Sequence, residues 1–306
     1  MLRWRLLLGA VFIAALAGLC WLDARQALGA APGLWLFPLA ILLALAASGE
    51  MLWMLANRQI QPHAAALYVG SLAIVASNGV PLYWPDYPPN CPLGRLGWPL
   101  CTFGVAVLAA FVVEMARYRA PGKSVVQLAA TVLSFAYVGL LLSFLIQLRA
   151  IDVAEGQQTG QWGLVALVSL VAVVKVADIG AYTVGRLVGR HKMTPLLSPG
   201  KTWEGAVGAI VFAAIAAWLV RALWVKQDST LAVAANAPLI AWLSYGVLIG
   251  MVGLLGDLAE SLVKRDLGRK DSSAWMPGFG GVLDLLDSIL FAAPVAYLCW
   301  AGGLLP

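Results

Sequence analysis

Residues 162–182 read WGLVALVSLVAVVKVADIGAY. The first thirteen positions carry no charge, and the run is long enough to cross the roughly 30 Å hydrocarbon core of a bilayer as a helix. Lys175 and Asp178 interrupt its second half. Similar apolar runs recur along the chain, roughly at 5–22, 34–56, 64–85, 97–116, 125–148, 204–225, 238–256 and 282–302, which makes nine candidate spans. Composition agrees: of 306 residues 61% are hydrophobic and 11% charged, with mean hydropathy +0.85. Such a chain is neither a soluble globular domain nor a disordered one. Four cysteines (Cys20, Cys91, Cys101, Cys299) exclude a disulfide scaffold, although Cys91 and Cys101 fall on one side and leave a single bridge open.

The expected fold is therefore an all-α integral membrane protein of about nine transmembrane helices, one polytopic domain, with bland helices over 1–160 and the chemistry in 161–306. The third span is the weakest, because Asn78, Gly79 and Pro81 interrupt it. Residues 86–99 read as a Pro-rich cap. The first span is expected to stay uncleaved, since Leu19 is too bulky for the position before a lipoprotein-type Cys20. With the N-terminus in the cytoplasm, 14 of the 20 Lys and Arg fall on the cytoplasmic side and the C-terminus lies outside. That bias accounts for the net charge of +5 without a nucleic-acid partner.

Polar residues gather in two segments expected to face the cytoplasm. The first runs from Asp178 through Tyr182, Gly185-Arg186 and Gly189-Arg190 to Ser198-Pro199-Gly200-Lys201-Thr202-Trp203-Glu204-Gly205. The second runs from Gly256-Asp257 through Glu260, Ser261, Lys264 and Arg265 to Lys270-Asp271-Ser272 and Gly280-Gly281-Val282-Leu283-Asp284-Leu285-Leu286-Asp287-Ser288. Asp257/Glu260 and Asp284/Asp287 each sit three apart, on one face of a helix. Four carboxylates at membrane depth want a cation, and hard oxygen donors select Mg²⁺. A second cation such as K⁺ is compatible with the same donors. Lys264 shares the face of Glu260 and Asp257, and Arg186, Lys201, Arg265, Arg269 and Lys270 add positive charge suited to a polyphosphate. Gly280-Gly281 allows close backbone approach to a ligand.

Blander readings stand beside these. Lys175 and Asp178 can be a simple intramembrane ion pair, the Lys264–Lys270 cluster can anchor anionic headgroups, and Glu50 and Glu114 read as packing or snorkelling residues. Gly200-Lys201-Thr202 does not complete a P-loop, since Pro195 stands where its first Gly belongs. Two histidines (His63, His191) make His-based catalysis a poor fit.

In order and spacing, Ser261-x-x-Lys264-Arg265, Lys270-Asp271-Ser272 and Pro277-Gly278-x-Gly280-Gly281-x-x-Asp284-x-x-Asp287-Ser288 closely resemble the signature of the phosphatidate cytidylyltransferases (CDP-diacylglycerol synthases). The upstream Asp178-x-Gly180-Ala181-Tyr182 and Ser198-Pro199-x-Lys201-Thr202-x-Glu204-Gly205 are similar to the same family. The resemblance covers about residues 178–294. It implies a multi-pass inner-membrane enzyme, often a homodimer, that joins CTP and phosphatidic acid into CDP-diacylglycerol with Mg²⁺ and a site toward the cytoplasm. By matching position, Asp257 and Asp284 are implied cation ligands supported by Asp287, with Glu260 added from its spacing. Lys264, Arg265 and Lys270 are implied phosphate binders, and Ser198, Lys201 and Thr202 line the substrate site with Arg186, Ser261, Gly280 and Gly281. Phe279, Leu285 and Gly200 stand where that family commonly has His, Arg and Lys. A CTP-dependent lipid-alcohol kinase and a non-enzymatic anionic-lipid transporter or scaffold are the alternatives.

Overall fold

The computed structural model describes residues 2–25, 32–84, 87–88, 90–151, 161–225, 238–273 and 280–305. Among these the chain is an all-α multi-pass membrane protein. The helices are α1 (Leu2–Ala24), α2 (Phe37–Asn57), α3 (Ala64–Ser77), α4 (Val80–Tyr83), α5 (Gly97–Arg117), α6 (Ser124–Ser134), α7 (Leu141–Arg149), α8 (Gln161–Val188), α9 (Trp203–Val225), α10 (Leu239–Asp266) and α11 (Val282–Ala301). A π-helical turn, Phe135–Leu140, joins α6 to α7 in one continuous span. Eight helical stretches among the described residues are long and apolar enough to cross a bilayer, and Gly9–Ala24 of α1 is a shorter apolar one. Large apolar side chains left exposed on α5, such as Val105, Leu108, Val112 and Met115, recur every three or four residues. In a bilayer that face meets lipid, so its exposure carries no hydrophobic penalty.

The chain forms two compact units, Met1–Ala150 with Asp266–Leu285, and Ile151–Arg265 with Leu286–Pro306. The motif segment 266–285 thus groups with the N-terminal helices rather than with the C-terminal half expected to hold the chemistry.

In the first unit, α3 packs on α2, α5 and the π-helical turn, where Ile74, Ala106, Ala110 and Phe135 are buried together. Gly70 is required there, since a Cβ would fall 2.4 Å from the Phe135 ring. The polar interruption expected in span three is a buried anchor. Asn78 donates to the carbonyls of Ile74 (3.1 Å) and Val75 (3.0 Å) and to Ser143 Oγ (2.8 Å), and accepts from Gln147 Nε2 (2.8 Å). Both polar atoms of the Asn78 side chain are thereby satisfied in an apolar setting, as burial demands. A buried ion pair ties α1 to α7. Arg149 Nη2 and Nε lie 2.6 and 2.7 Å from Asp23 Oδ2, and the Gly33 N–H donates to Asp23 Oδ1 at 2.8 Å. All four cysteines, Cys91 and Cys101 included, are free in the structure; Asp86 and Pro89 of the expected cap lie outside the described residues.

In the second unit, glycines let α8 and α9 pack backbone to backbone. A Cβ on Gly180 would meet the Gly208 carbonyl oxygen at 2.7 Å, and one on Gly208 would meet the Gly180 oxygen at 2.8 Å. Between these helices the chain turns back through an antiparallel hairpin, β1 (Lys192–Thr194) and β2 (Ser198–Thr202), paired Lys192 with Thr202 and Thr194 with Ser198. The sequence reads this stretch as a loop. Its strands are too short for a period-2 pattern to stand out.

Candidate functional site

In the second unit, Thr202 ends the hairpin and starts α9. Its buried Oγ1 accepts from the Gly205 N–H at 3.1 Å, the bond an N-capping Thr makes. Thr202, expected to line a substrate site, therefore sets the hairpin's exit into α9. One residue earlier, Lys201 is turned inward with 16% of its side chain exposed. Its Nζ lies 2.9 Å from Asp257 Oδ2 on α10 and donates to the Leu254 carbonyl at 3.5 Å. On α8, Lys175 Nζ pairs with Asp178 Oδ2 at 3.3 Å. The charges of Asp257 and Lys201 act on Asp178, and those of Asp257, Asp178 and Lys175 act on Asp287 of α11, which is 7% exposed. Asp287 Oδ1 accepts from the Ser288 N–H. Gly256, just before Asp257, allows α10 to approach α11, since a Cβ there would fall 2.8 Å from the Asp287 carbonyl oxygen.

Three carboxylates and two ammonium groups thus share one field, contributed by α8, β2, α10 and α11. The cluster is net negative, and its exposed members, Asp257 and Asp178, keep 38% and 43% of their side chains accessible. Among the described residues no group of three or more His, Cys, Asp or Glu side chains is arranged to hold a metal ion by itself. The donor chemistry nevertheless fits Mg²⁺, which is commonly held by one or two carboxylates plus substrate phosphates rather than by an all-protein cage.

The other expected residues of this unit are placed as follows. Glu260, 2% exposed, pairs with Lys264 at 2.6 Å, one turn along α10. Ser261 Oγ lies 3.5 Å from Asp257 Oδ1. Arg265 is exposed and donates from Nε to the Leu197 carbonyl at 3.3 Å, linking α10 to the hairpin turn. Arg186 is exposed and donates to the Tyr182 hydroxyl at 2.5 Å, and Ser198 is half-buried at the start of β2. His191 and Glu204 pair at 2.7 Å across the base of the hairpin.

The rest of the motif is in the first unit. Asp284 Oδ2 accepts from Ser272 N (2.8 Å), Ser272 Oγ (2.7 Å) and Gly281 N (2.9 Å). Gly280 has φ +79°, a conformation L side chains rarely adopt, and a Cβ on it would fall 2.3 Å from Asp284 Oδ2. A Cβ on Gly281 would lie 2.1 Å from Ser272 Oγ and 2.4 Å from both carboxylate oxygens of Glu50. The two glycines, expected to admit a ligand, admit protein carboxylates. Lys270 is exposed, and Pro277, Gly278 and Phe279 lie outside the described residues.

Glu50 corrects the sequence reading. It is 4% exposed and neither snorkels nor packs inertly; its oxygens accept from Val282 N, Leu283 N and Ser272 Oγ. The signal available was a lone acid deep in the apolar run of α2, where an ionisable group is costly without partners. Glu114, read in the same way, is 8% exposed and pairs with Arg117 at 3.3 Å.

Residues 5–301 match the model of the cytidylyltransferase family. Over 137 residues, 45% of this chain and 43% of the relative, the sequence is 38% identical to the uncharacterized protein YnbB of Escherichia coli (strain K12). It is 43% identical to the phosphatidate cytidylyltransferase of Brucella suis biovar 1 over 137 residues, 45% and 47% of the two chains. It is 34% identical to that of Synechocystis sp. over 196 residues, 57% and 62%. The chain therefore spans about half the length of the curated relatives it matches.

Proposed function

The chain belongs to the cytidylyltransferase family, and from that premise we propose that it joins CTP to phosphatidic acid, yielding CDP-diacylglycerol and pyrophosphate. The observation that carries this reading is the cluster of Lys175, Lys201, Asp178, Asp257 and Asp287, a net-negative group with two lysines and accessible carboxylate edges. A transporter or scaffold for anionic lipid has no use for carboxylates that repel its ligand, whereas a cation-bound triphosphate does. The names of the Brucella and Synechocystis relatives support phosphatidate as the acceptor and favour nucleotidyl transfer over a CTP-dependent kinase reaction.

In the proposed reaction an oxygen of the lipid phosphate attacks the α-phosphorus of CTP. The new P–O bond forms as the bond to the β-phosphate oxygen breaks, and pyrophosphate leaves. A phosphate monoester is largely dianionic near neutral pH, so no strong general base is required. What the chain must supply is position and neutralised charge. Lys201 and Lys175 are proposed to meet phosphate oxygens, with Arg186, Lys264, Arg265 and Lys270 contributing to the positive field and Ser198 and Ser261 to hydrogen bonding. Asp257 and Asp287 are proposed to hold Mg²⁺; Asp284 carries the same proposed role on the strength of the motif. Mg²⁺ when bound neutralises triphosphate charge and polarises the phosphoryl group under attack. Glu260 is proposed to hold Lys264 in place. The bias of basic residues supports a site facing the cytoplasm of the inner membrane, and the family resemblance supports a homodimer.

The test is direct. The purified chain in detergent is given phosphatidic acid, Mg²⁺ and CTP labelled on the α-phosphate. Label in the lipid fraction with stoichiometric pyrophosphate is expected. Folded protein that labels no lipid refutes the reaction, and label transferred only from γ-labelled CTP to a lipid alcohol would assign the kinase instead.

A further inference from the structure

Within the first unit a single face of α2 holds both described segments that flank the glycine-rich stretch. At its end, Asn57 Nδ2 donates to the Leu267 carbonyl at 2.7 Å and Arg58 Nε to the Asp266 carbonyl at 2.9 Å. One turn earlier, the Arg269 guanidinium lies 3.8 Å from the centre of the Trp53 ring. Deeper still, Glu50 accepts from Val282 N at Oε1 (2.7 Å) and from Leu283 N at Oε2 (2.8 Å). These are the first two amides of α11, which have no partner inside the helix, and the helix's positive end favours an anion there. Ser272 Oγ, 2.9 Å from Glu50 Oε2, also lies 2.7 Å from Asp284 Oδ2. Ser272 Oγ is thus shared by the two carboxylates, and the backbone that follows Gly281, whose N–H donates to Asp284 Oδ2, is held by Glu50 at Val282 and Leu283.

We propose that Glu50 is a positioning residue: through Ser272 and the backbone of 281–283 it sets the direction of the Asp284 carboxylate, without touching substrate. One backbone N–H donates to each of its oxygens, and the single hydrogen of the Ser272 hydroxyl is shared between Glu50 Oε2 and Asp284 Oδ2; only a carboxylate accepts at both positions. Glutamine would turn an NH₂ group toward a backbone N–H or the Ser272 hydroxyl and lose at least one bond. The inference deepens the cytidylyl-transfer reading and rests on it for its kinetic consequence.

The test uses the full chain in detergent with Glu50→Gln. The expected result is a fall in kcat of about 10- to 100-fold, the usual effect of removing an outer-shell partner of a functional carboxylate. KM for CTP stays within about threefold, because no substrate contact is lost. Amide exchange over 280–285 accelerates while α3 and α5 exchange as before. An unchanged kcat per folded molecule overturns the proposal, as does unchanged exchange over 280–285. A lower melting temperature with kcat intact marks Glu50 as purely structural and also overturns it. If the variant does not fold, Ser272→Ala cuts the side-chain link and leaves the α11 amides capped; it is expected to lower kcat alone, and an unaltered kcat overturns the proposal. If the unaltered chain transfers no cytidylyl group, the reaction reading fails by itself, and unchanged amide exchange over 280–285 in Glu50→Gln would overturn the positioning claim separately.

Discussion

Replacing Lys201 by Met removes a charge whose surroundings separate its effect on stability from its effect on turnover. The ammonium is 2.9 Å from Asp257 Oδ2, with the two side chains 16% and 38% exposed. Two unit charges at that distance attract by about 6 kcal/mol at an effective dielectric near 20, and by about 1.4 kcal/mol in water. The access of Asp257 to solvent moves the pair toward the lower figure, and the desolvation of Lys201 offsets part of what remains. The folded state should lose no more than about 1 kcal/mol. Turnover is a different matter. A charge-assisted hydrogen bond to a phosphate oxygen is worth about 1.5–3 kcal/mol, so kcat/KM should fall roughly 10- to 150-fold at 1.36 kcal/mol per decade. Lys201→Arg should recover part of it, since it keeps the charge but moves the donors. The assay is lipid labelling from α-labelled CTP at several CTP concentrations, with thermal unfolding of the same samples alongside. A kcat/KM within twofold of the parent in folded Lys201→Met would refute the assignment of Lys201 to the triphosphate.

Other perturbations test other links. Gly281→Ala places a Cβ 2.1 Å from Ser272 Oγ and 2.4 Å from both Glu50 oxygens; it should cost about 1–3 kcal/mol in unfolding and depress turnover, and a neutral result in both would deny the close approach. Arg149→Met leaves Asp23 buried without its cation and should destabilise by about 3–5 kcal/mol, read as a lowered melting temperature, with much of the loss recovered by adding Asp23→Asn. Gly200→Lys restores the residue that the resembling family carries at an exposed position with nothing within 4 Å of its Cβ. It should fold normally and lower KM for CTP about two- to fivefold, the size of an exposed charge interaction; an unchanged KM would place Gly200 away from the triphosphate.

The membrane-spanning helices were legible because the signal is cumulative: about twenty apolar residues in succession leave few other stable states. The break at Asn78 misled in degree only. The sequence marks a polar residue in a span but not its partners, Ser143 and Gln147, which lie 65 and 69 residues away. The candidate site was legible as a set of residue types and spacings, and Lys201, Asp257 and Asp287 do fall in one electrostatic cluster. Lys175 and Asp178 belong to that cluster as well as pairing with each other, a distinction the (i, i+3) spacing cannot make. The residue types of Thr202 and Gly280-Gly281 suit a phosphate site and equally suit a helix cap and the close approach of carboxylates; the structure adds the second set of contacts, which spacing alone does not reveal.

By itself, then, the amino-acid order determined the class of the fold, the segments that cross the membrane and the roster of charged residues available for chemistry. Each depends on local composition or on spacings of a few residues, where geometry is set by the helix itself. Tertiary structure alone decided the company each charge keeps. It grouped residues 266–285 with the N-terminal helices, turned Glu50 from a bystander into the acceptor for the start of α11, and drew Lys201 out of a loop onto Asp257. Such pairings join residues up to 233 positions apart. No periodicity encodes them; they follow from which buried donors and acceptors must find one another once water is gone.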